Sequence, residues 1–180
     1  MLAILMSAFL CYTYIFRSKT RLLILKHYSL SINTFAQQLD KQAMLLEENS
    51  KDLALLARLF YKTDRSIQLT KRAITRIFEN HDNTIGGGIW FEPNAVFKDK
   101  KRFCFFAYRN KDNKIVFDDT AASEEYDYLN KNWYKEIKSQ ITKEKATAWS
   151  RPYFEKEGSD SMLITVGTGI FDNDKLLGIA

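Results

Sequence analysis

Residues 84 to 117 read TIGGGIWFEPNAVFKDKKRFCFFAYRNKDNKIVF, and this stretch decides the fold. Gly86-Gly87-Gly88 leads into Ile89-Trp90-Phe91, a short apolar strand ended by Pro93. Arg102 to Tyr108 is rich in aromatic residues and predicts a second strand. Asn110-Lys111-Asp112-Asn113 predicts a turn, and Lys114 to Phe117 the strand that returns from it. Short strands joined by tight polar turns belong to an antiparallel sheet.

Downstream, Asn132 to Lys145 has helical spacing at Trp133, Ile137 and Ile141. Trp149 to Phe154 is extended around Ser150-Arg151-Pro152, and Met162 to Ile170 predicts a strand. Asp172-Asn173-Asp174 turns it into another strand from Leu176 to Ala180. That last strand has no closing turn, so the sequence is expected to be part of a longer protein. Upstream the period changes. Ile32, Ala36, Leu39, Ala43, Leu46, Ser50, Leu53, Ala57 and Phe60 alternate in steps of four and three. This spacing predicts a long helix with a packed seam. Half of the seam is Ala or Ser, which weakens it as an autonomous dimer and suits packing on its own domain. Thr63 and Asp64 offer a cap for a second helix with Ile67, Ile74, Ile77 and Phe78 on one face, stopping at Asn80 to Asn83. The expected class is α+β: a long N-terminal helix, then an antiparallel sheet with one inserted helix.

The N-terminus carries a separate signal. Met1 to Phe16 holds no charge, and as a helix it would reach about 24 Å, short of the roughly 30 Å hydrocarbon core. It reads as a transmembrane segment with Arg17 and Lys19 snorkelling. A secretory signal peptide ranks second, for want of a basic leader and a small-residue cleavage site. Arg17, Lys19, Arg21 and Lys26 supply four of the five net positive charges of the 180-residue chain. A basic collar beside an apolar run suits a membrane surface. Nucleic-acid binding would need basic residues spread over a folded face with aromatics between them, so it is not expected. By the positive-inside rule this collar would hold the rest of the chain in the cytoplasm, unless charged residues precede Met1. From Arg17 to Phe60 the helix would be about 66 Å long, which suits a rod between a membrane and a distal domain.

Catalytic and metal chemistry find little support. Cys11 and Cys104 form no disulfide framework, and His27 and His81 stand far from other ligands. No cofactor or metal is expected. The triple glycine is not followed by Gly-Lys-Ser/Thr and opens no helix, so it reads as close backbone packing. Asp118-Asp119 and Glu124-Glu125 read as solvated loop acids. No nucleophile, base and orienting group come together, so no catalytic site is expected within these residues. The informative stretch runs from Glu125 to Tyr134, EYDYLNKNWY, followed by Trp149 to Glu155, WSRPYFE. Rings with polar tips and a cation suit a small anionic or zwitterionic ligand. The same residues also suit a structural Trp-Tyr core at a helix start, and periodicity alone leaves both open.

The order Gly-Gly-Ile-Trp-Phe-Glu-Pro, aromatic hairpin, Tyr-Asp-Tyr-Leu-Asn-Lys-Asn-Trp-Tyr, Trp-Ser-x-Pro-Tyr-Phe and Asp-Asn-Asp-Lys-Leu-Leu-Gly-Ile resembles the double Cache (dCache) sensor family. The resemblance covers about Arg17 to Ala180. It implies a long helix followed by two stacked PAS-like modules, outside the cytoplasmic membrane of bacterial chemoreceptors and sensor histidine kinases. Residues 1–16 would be the membrane segment, 17–62 the signalling helix and 63–180 most of the membrane-distal module. The second module and the output domain, an enzyme where it is a histidine kinase, would lie beyond Ala180. Amino-acid-binding members carry Tyr-x-x-x-x-Arg-x-Trp-Tyr and then Tyr-x-Asp. Here Tyr126, Trp133, Tyr134 and Tyr153 match, Lys131 replaces the Arg and Glu155 replaces the Asp. The resemblance therefore implies a small polar or carboxylate ligand held by these six residues. Trp133 and Tyr134 would wall the pocket, Lys131 would pair with an anion and Glu155 would meet a cation. A homodimer through the long helix is the expected assembly, in the inner membrane with the sensor outside. The alternative is a membrane-anchored protein-interaction module without a small ligand, its pocket filled by core side chains.

Overall fold

The computed structural model describes residues 1–63, 65–80, 84–156 and 160–180, with side chains except at 2, 3 and 8. The chain divides into two compact units, Met1–Met44 and Leu45–Ala180. Helix α1 runs from Leu2 to Lys62. Neither Gly nor Pro occurs in this stretch, so no residue breaks the hydrogen-bond ladder. Among the described residues no helix is long and apolar enough to cross a membrane. The uncharged run expected to do so is cut short at Arg17.

In the first unit the seam residues Ile32 and Leu39 are exposed, as are Leu22, Leu23, Tyr28 and Phe35. In the second unit Ser50, Leu53, Ala57 and Phe60 of the same seam are buried on their own domain. Helix α2 (Ile67–Glu79) starts later than expected. Its cap is Ser66, whose side chain accepts a hydrogen bond from the Leu69 amide, rather than Thr63 or Asp64. Thr63 instead donates its hydroxyl to the Leu59 carbonyl inside the last turn of α1, at 2.8 Å. Asp64 and the expected stop at residues 81–83 lie outside the described residues. Thr70, Ile74 and Phe78 form the buried face of α2, whereas Ile67 is exposed.

Strands β1 (Gly86–Phe91), β2 (Cys104–Arg109), β3 (Ile115–Phe117), β4 (Thr147–Trp149), β7 (Val166–Asp172) and β8 (Lys175–Ile179) form an antiparallel sheet. Its strand order is β3-β2-β1-β8-β7-β4. The glycines lie inside β1, not before it. A Cβ on Gly88 would come within 1.8 Å of the Phe105 carbonyl oxygen across the strand pair, so only glycine fits. Strands β5 (Tyr153–Glu155) and β6 (Ser161–Leu163) pair as a separate hairpin. The single strand expected over 162–170 is thus two, because Thr165 is drawn onto Ser150: the Ser150 amide donates to the Thr165 carbonyl and the Thr165 amide to Ser150 Oγ.

Alternation along the strands makes two cores. Ile89, Phe91, Phe105, Ala107, Ile170 and Leu177 pack with Leu53, Ala54, Ala57 and Phe60 of α1 and Ile74 and Phe78 of α2. On the opposite face Trp90 and Ile179 pack with Tyr128, Trp133, Tyr134, Ile137 and Ala148. A register shift between Ile170 and Phe171 leaves Leu177 as the extra residue opposite them, so Leu177 and Ile179 serve different cores. Helix α3 (Asn132–Gln140) covers the second core and ends earlier than the expected Lys145, since Ile141 is extended and Thr142 Oγ1 accepts from the Lys145 amide. Gly167 on β7 lets it lie close. A Cβ there would meet Ile137 at 2.9 Å and Ile179 at 2.7 Å.

Candidate functional site

A cavity of about 220 Å³ opens between the N-terminus of α3 and the β5–β6 hairpin. It is lined by Lys131, Asn132, Trp133, Tyr153, Phe154, Glu155 and Lys156. Four of the six residues named from sequence, Lys131, Trp133, Tyr153 and Glu155, therefore share one cavity. Tyr126 and Tyr134 do not line it.

Each placement has a local cause. A 3-10 turn at Tyr128–Asn130 delivers the chain to Lys131, which is extended and stands at the cap of α3, its side chain making no capping hydrogen bond. Before that turn, Asp127 takes a left-handed conformation (φ 37°). Asn130 Nδ2 donates to Asp127 Oδ2 at 2.6 Å, and Arg102 Nη1 reaches Oδ1 at 3.2 Å. The Asn130 hydrogen bond first, then the Arg102 charge and hydrogen bond, hold the Asp127 carboxyl below the usual range. Arg102, only 9% exposed at its side chain, also pairs with Glu124 at 3.0 Å. The Lys131 ammonium lies 4.4 Å from the centre of the Tyr126 ring, so Tyr126 steadies the cation from its flank.

Trp133 is 4% exposed and meets Trp90 edge-on at 5.1 Å, so mostly its margin reaches the cavity. Tyr134 turns the other way. Its hydroxyl donates to Glu92 Oε1 at 2.9 Å, and Lys138 Nζ pairs with Glu92 Oε2 at 2.7 Å. Burial first, then the Glu92 charge, push the Tyr134 phenol far above its ordinary pKa. Tyr134 is thus a core residue, and a pocket wall was the wrong place for it. The hydroxyl of Tyr153 is shared with Thr165 Oγ1 at 2.8 Å, leaving mainly its ring to face a ligand. Burial raises the Tyr153 phenol.

The loop acids are engaged structurally. Asp118 caps a 3-10 turn through the Thr120 amide and hydroxyl, and Asp119 pairs with Lys71 at 3.0 Å. Among the described residues no cluster of His, Cys, Asp or Glu could hold a metal ion. Sequence reasoning passed over Asn132, Phe154 and Lys156, which flank the motif positions, and Glu92 and Arg102, which act at a distance. A carboxylate between Phe91 and Pro93 in an apolar run was a usable signal, since an acid there needs a partner.

Residues 70–180 match the family described as methyl-accepting chemotaxis protein-like, first PDC sensor domain. The chain belongs to this family. No curated protein matches it. Among solved structures, methyl-accepting chemotaxis protein X has the same fold with a TM-score of 0.68 at 15% identity, over 89% of this chain and 62% of that one. The extracellular domain assigned to histidine kinase soHK1S-Z6 gives 0.58 at 21% identity, over 77% and 52%. The ligand-binding domain of Campylobacter jejuni chemoreceptor Tlp3, solved with L-valine, gives 0.51 at 14% identity, over 82% and 52%. At these identities the likeness is one of fold, and this PDC sensor domain spans between half and two thirds of each of those chains.

Proposed function

We propose that this PDC sensor domain holds a small polar ligand bearing a carboxylate in the cavity between α3 and the β5–β6 hairpin. The observation that carries the reading is that cavity, with Lys131 and Lys156 beside Glu155 over aromatic walls. Lys131 pairs with the ligand carboxylate, and Glu155 takes a cationic or donor group. Trp133 and Tyr153 exclude water, and Tyr126 orients Lys131. Lys131 is a point charge without the bidentate fork of Arg, so carboxylate recognition depends less on planar geometry. Glu155 reaches one methylene further than Asp, which crowds an α-ammonium group. The alternative, a protein-interaction module, is disfavoured by open space beside Trp133.

In the whole receptor, residues 1–16 would anchor the chain in the inner membrane with the sensor outside. Residues 17–62 would carry the signal and pair with a second copy, and 63–180 would form the membrane-distal module. Occupancy shifts the receptor only if the ligand binds one state better than the other. The output would be a chemotaxis module or a histidine kinase.

Thermal melts with L-valine, L-glutamate, acetate, succinate and citrate test the binding claim. A ligand at a hundred times its Kd stabilises by about 2.7 kcal/mol, worth several degrees in Tm. At least one probe should raise Tm by about 4 °C or more, and Lys131→Gln should abolish the rise while leaving the unliganded Tm within about 1 °C. No shift with any probe would favour the interaction module.

A further inference from the structure

The segment that joins β4 to β5 is tied on three sides. Toward α3, Gln140 Nε2 donates to the Trp149 carbonyl at 3.1 Å. Arg151 sends its amide and its Nε to the two oxygens of Glu136, at 3.1 and 2.8 Å. Toward the sheet, Ser150 exchanges bonds with Thr165, whose hydroxyl also meets Tyr153. Toward α1, Trp149 Nε1 donates to Glu47 Oε1 at 2.8 Å. Tyr153 and Glu155, four and six residues on, line the cavity, whose opposite wall is the start of α3.

We propose that Trp149 is a positioning residue that couples the cavity to α1, its indole N–H on Glu47 transmitting movement of the Tyr153–Glu155 strand to the helix. This rests on the sensing assignment of the cavity and adds the route by which its state is reported. A ligand seated between Lys131 and Glu155 draws the α3 start and β5 together. The connecting segment is only three residues long and is bonded to α3 at Trp149 and Arg151, so it moves with them. Glu47 is then displaced or released, because it shares a 2.8 Å hydrogen bond with the moving indole. A second tie, from Ser50 Oγ to Thr168 Oγ1 and the Ala180 carbonyl, joins α1 to the sheet rather than to the segment. It serves as the fulcrum against which the Glu47 turn moves.

The test needs no ligand, so its failure is distinguishable from failure of ligand binding. Tyr153→Phe removes the hydroxyl shared with Thr165 and perturbs the cavity strand without emptying the site of its ring. Amide hydrogen exchange is followed by mass spectrometry in α1 residues 45–54. Comparison is made in four backgrounds of the full chain: unchanged, Trp149→Phe, Glu47→Leu and Glu47→Gln. Coupled residues depart from additivity by about twofold or more in such a cycle. Tyr153→Phe should accelerate exchange about threefold in the unchanged chain and in Glu47→Gln, which keeps a carbonyl acceptor, and less than about 1.5-fold in Trp149→Phe and Glu47→Leu. An equal acceleration in all four backgrounds, or none in the unchanged chain, overturns the proposal. Glu47→Leu keeps the test decisive if Trp149→Phe does not fold.

Discussion

Gly88 faces the Phe105 carbonyl so closely that a methyl group would overlap it at 1.8 Å. Backbone cannot retreat cheaply inside a paired strand, so Gly88→Ala should lower unfolding stability by about 3 kcal/mol or more, read as a fall in the urea midpoint. The triple glycine was legible as close packing because it met no phosphate-binding pattern. Which glycine was indispensable was not legible, since that depends on the partner strand's register. Cys104 gives a second residue-scale test. Burial first, then the nearby Asp119 and Asp118 charges, push its thiol from 9.0 up to about 12. The unfolded chain therefore releases this proton at a lower pH than the folded one. Its contribution to stability is complete below about pH 9 and is lost as pH climbs toward about 12. The buried phenols of Tyr128 and Tyr134, also raised mainly by burial, act in the same direction. Urea midpoints should accordingly fall between pH 8.5 and about 11, and Cys104→Ala should make the fall shallower.

Elements tell a similar story of local signals completed by distant partners. Ser50 reads as a weak point in an apolar seam, yet its hydroxyl lies 2.8 Å from both Thr168 Oγ1 and the Ala180 carbonyl in a buried site. Thr147 Oγ1 extends this network to β4 at 3.0 Å. Ser50→Ala removes one buried hydrogen bond, while the Ala180 carbonyl keeps the Thr168 amide and the Thr168 hydroxyl keeps Thr147, so it should cost about 1 kcal/mol, measurable by denaturant unfolding. The neighbouring exposed position Lys51→Ala should change stability by less than about 0.5 kcal/mol. The long helix was readable from its period and its lack of Gly and Pro. The split of residues 161–172 into β6 and β7 was not, because Thr165 is pulled out of line by Ser150 and not by a turn residue of its own. Likewise, Lys131, Trp133, Tyr153 and Glu155, named from the family resemblance and not from periodicity, line one cavity because the start of α3 and strand β5 share its edge. Tyr134, on the next position of α3, does not line it, because its hydroxyl is held by Glu92 in the core behind Trp133. The element that receives Tyr134 is Glu92, which lies 42 residues earlier in sequence.

At the scale of the whole molecule, charge and apolar surface are unevenly shared. The first unit carries the uncharged residues 1–16 and then Arg17, Lys19, Arg21 and Lys26, with Leu22, Leu23, Leu25 and Tyr28 exposed among them. The second unit builds two buried cores, though Leu55, Leu59, Leu69, Phe154, Met162 and Ile164 among others remain exposed on it. Exposed apolar side chains beside a basic collar gain from a lipid surface in two ways, by burial and by attraction to anionic headgroups. Each basic residue near such a surface contributes about 1 kcal/mol, and the attraction weakens over a Debye length. The full chain should therefore co-float with vesicles of three parts phosphatidylcholine to one part phosphatidylglycerol. Replacing Arg17, Lys19, Arg21 and Lys26 together by Gln should weaken binding to those vesicles by about two orders of magnitude or more, and much less to vesicles of phosphatidylcholine alone. If the quadruple variant binds both vesicle types as the unchanged chain does, the apolar residues alone hold the lipid and the basic collar has another role. If the unchanged chain binds neither, these residues do not attach it to lipid.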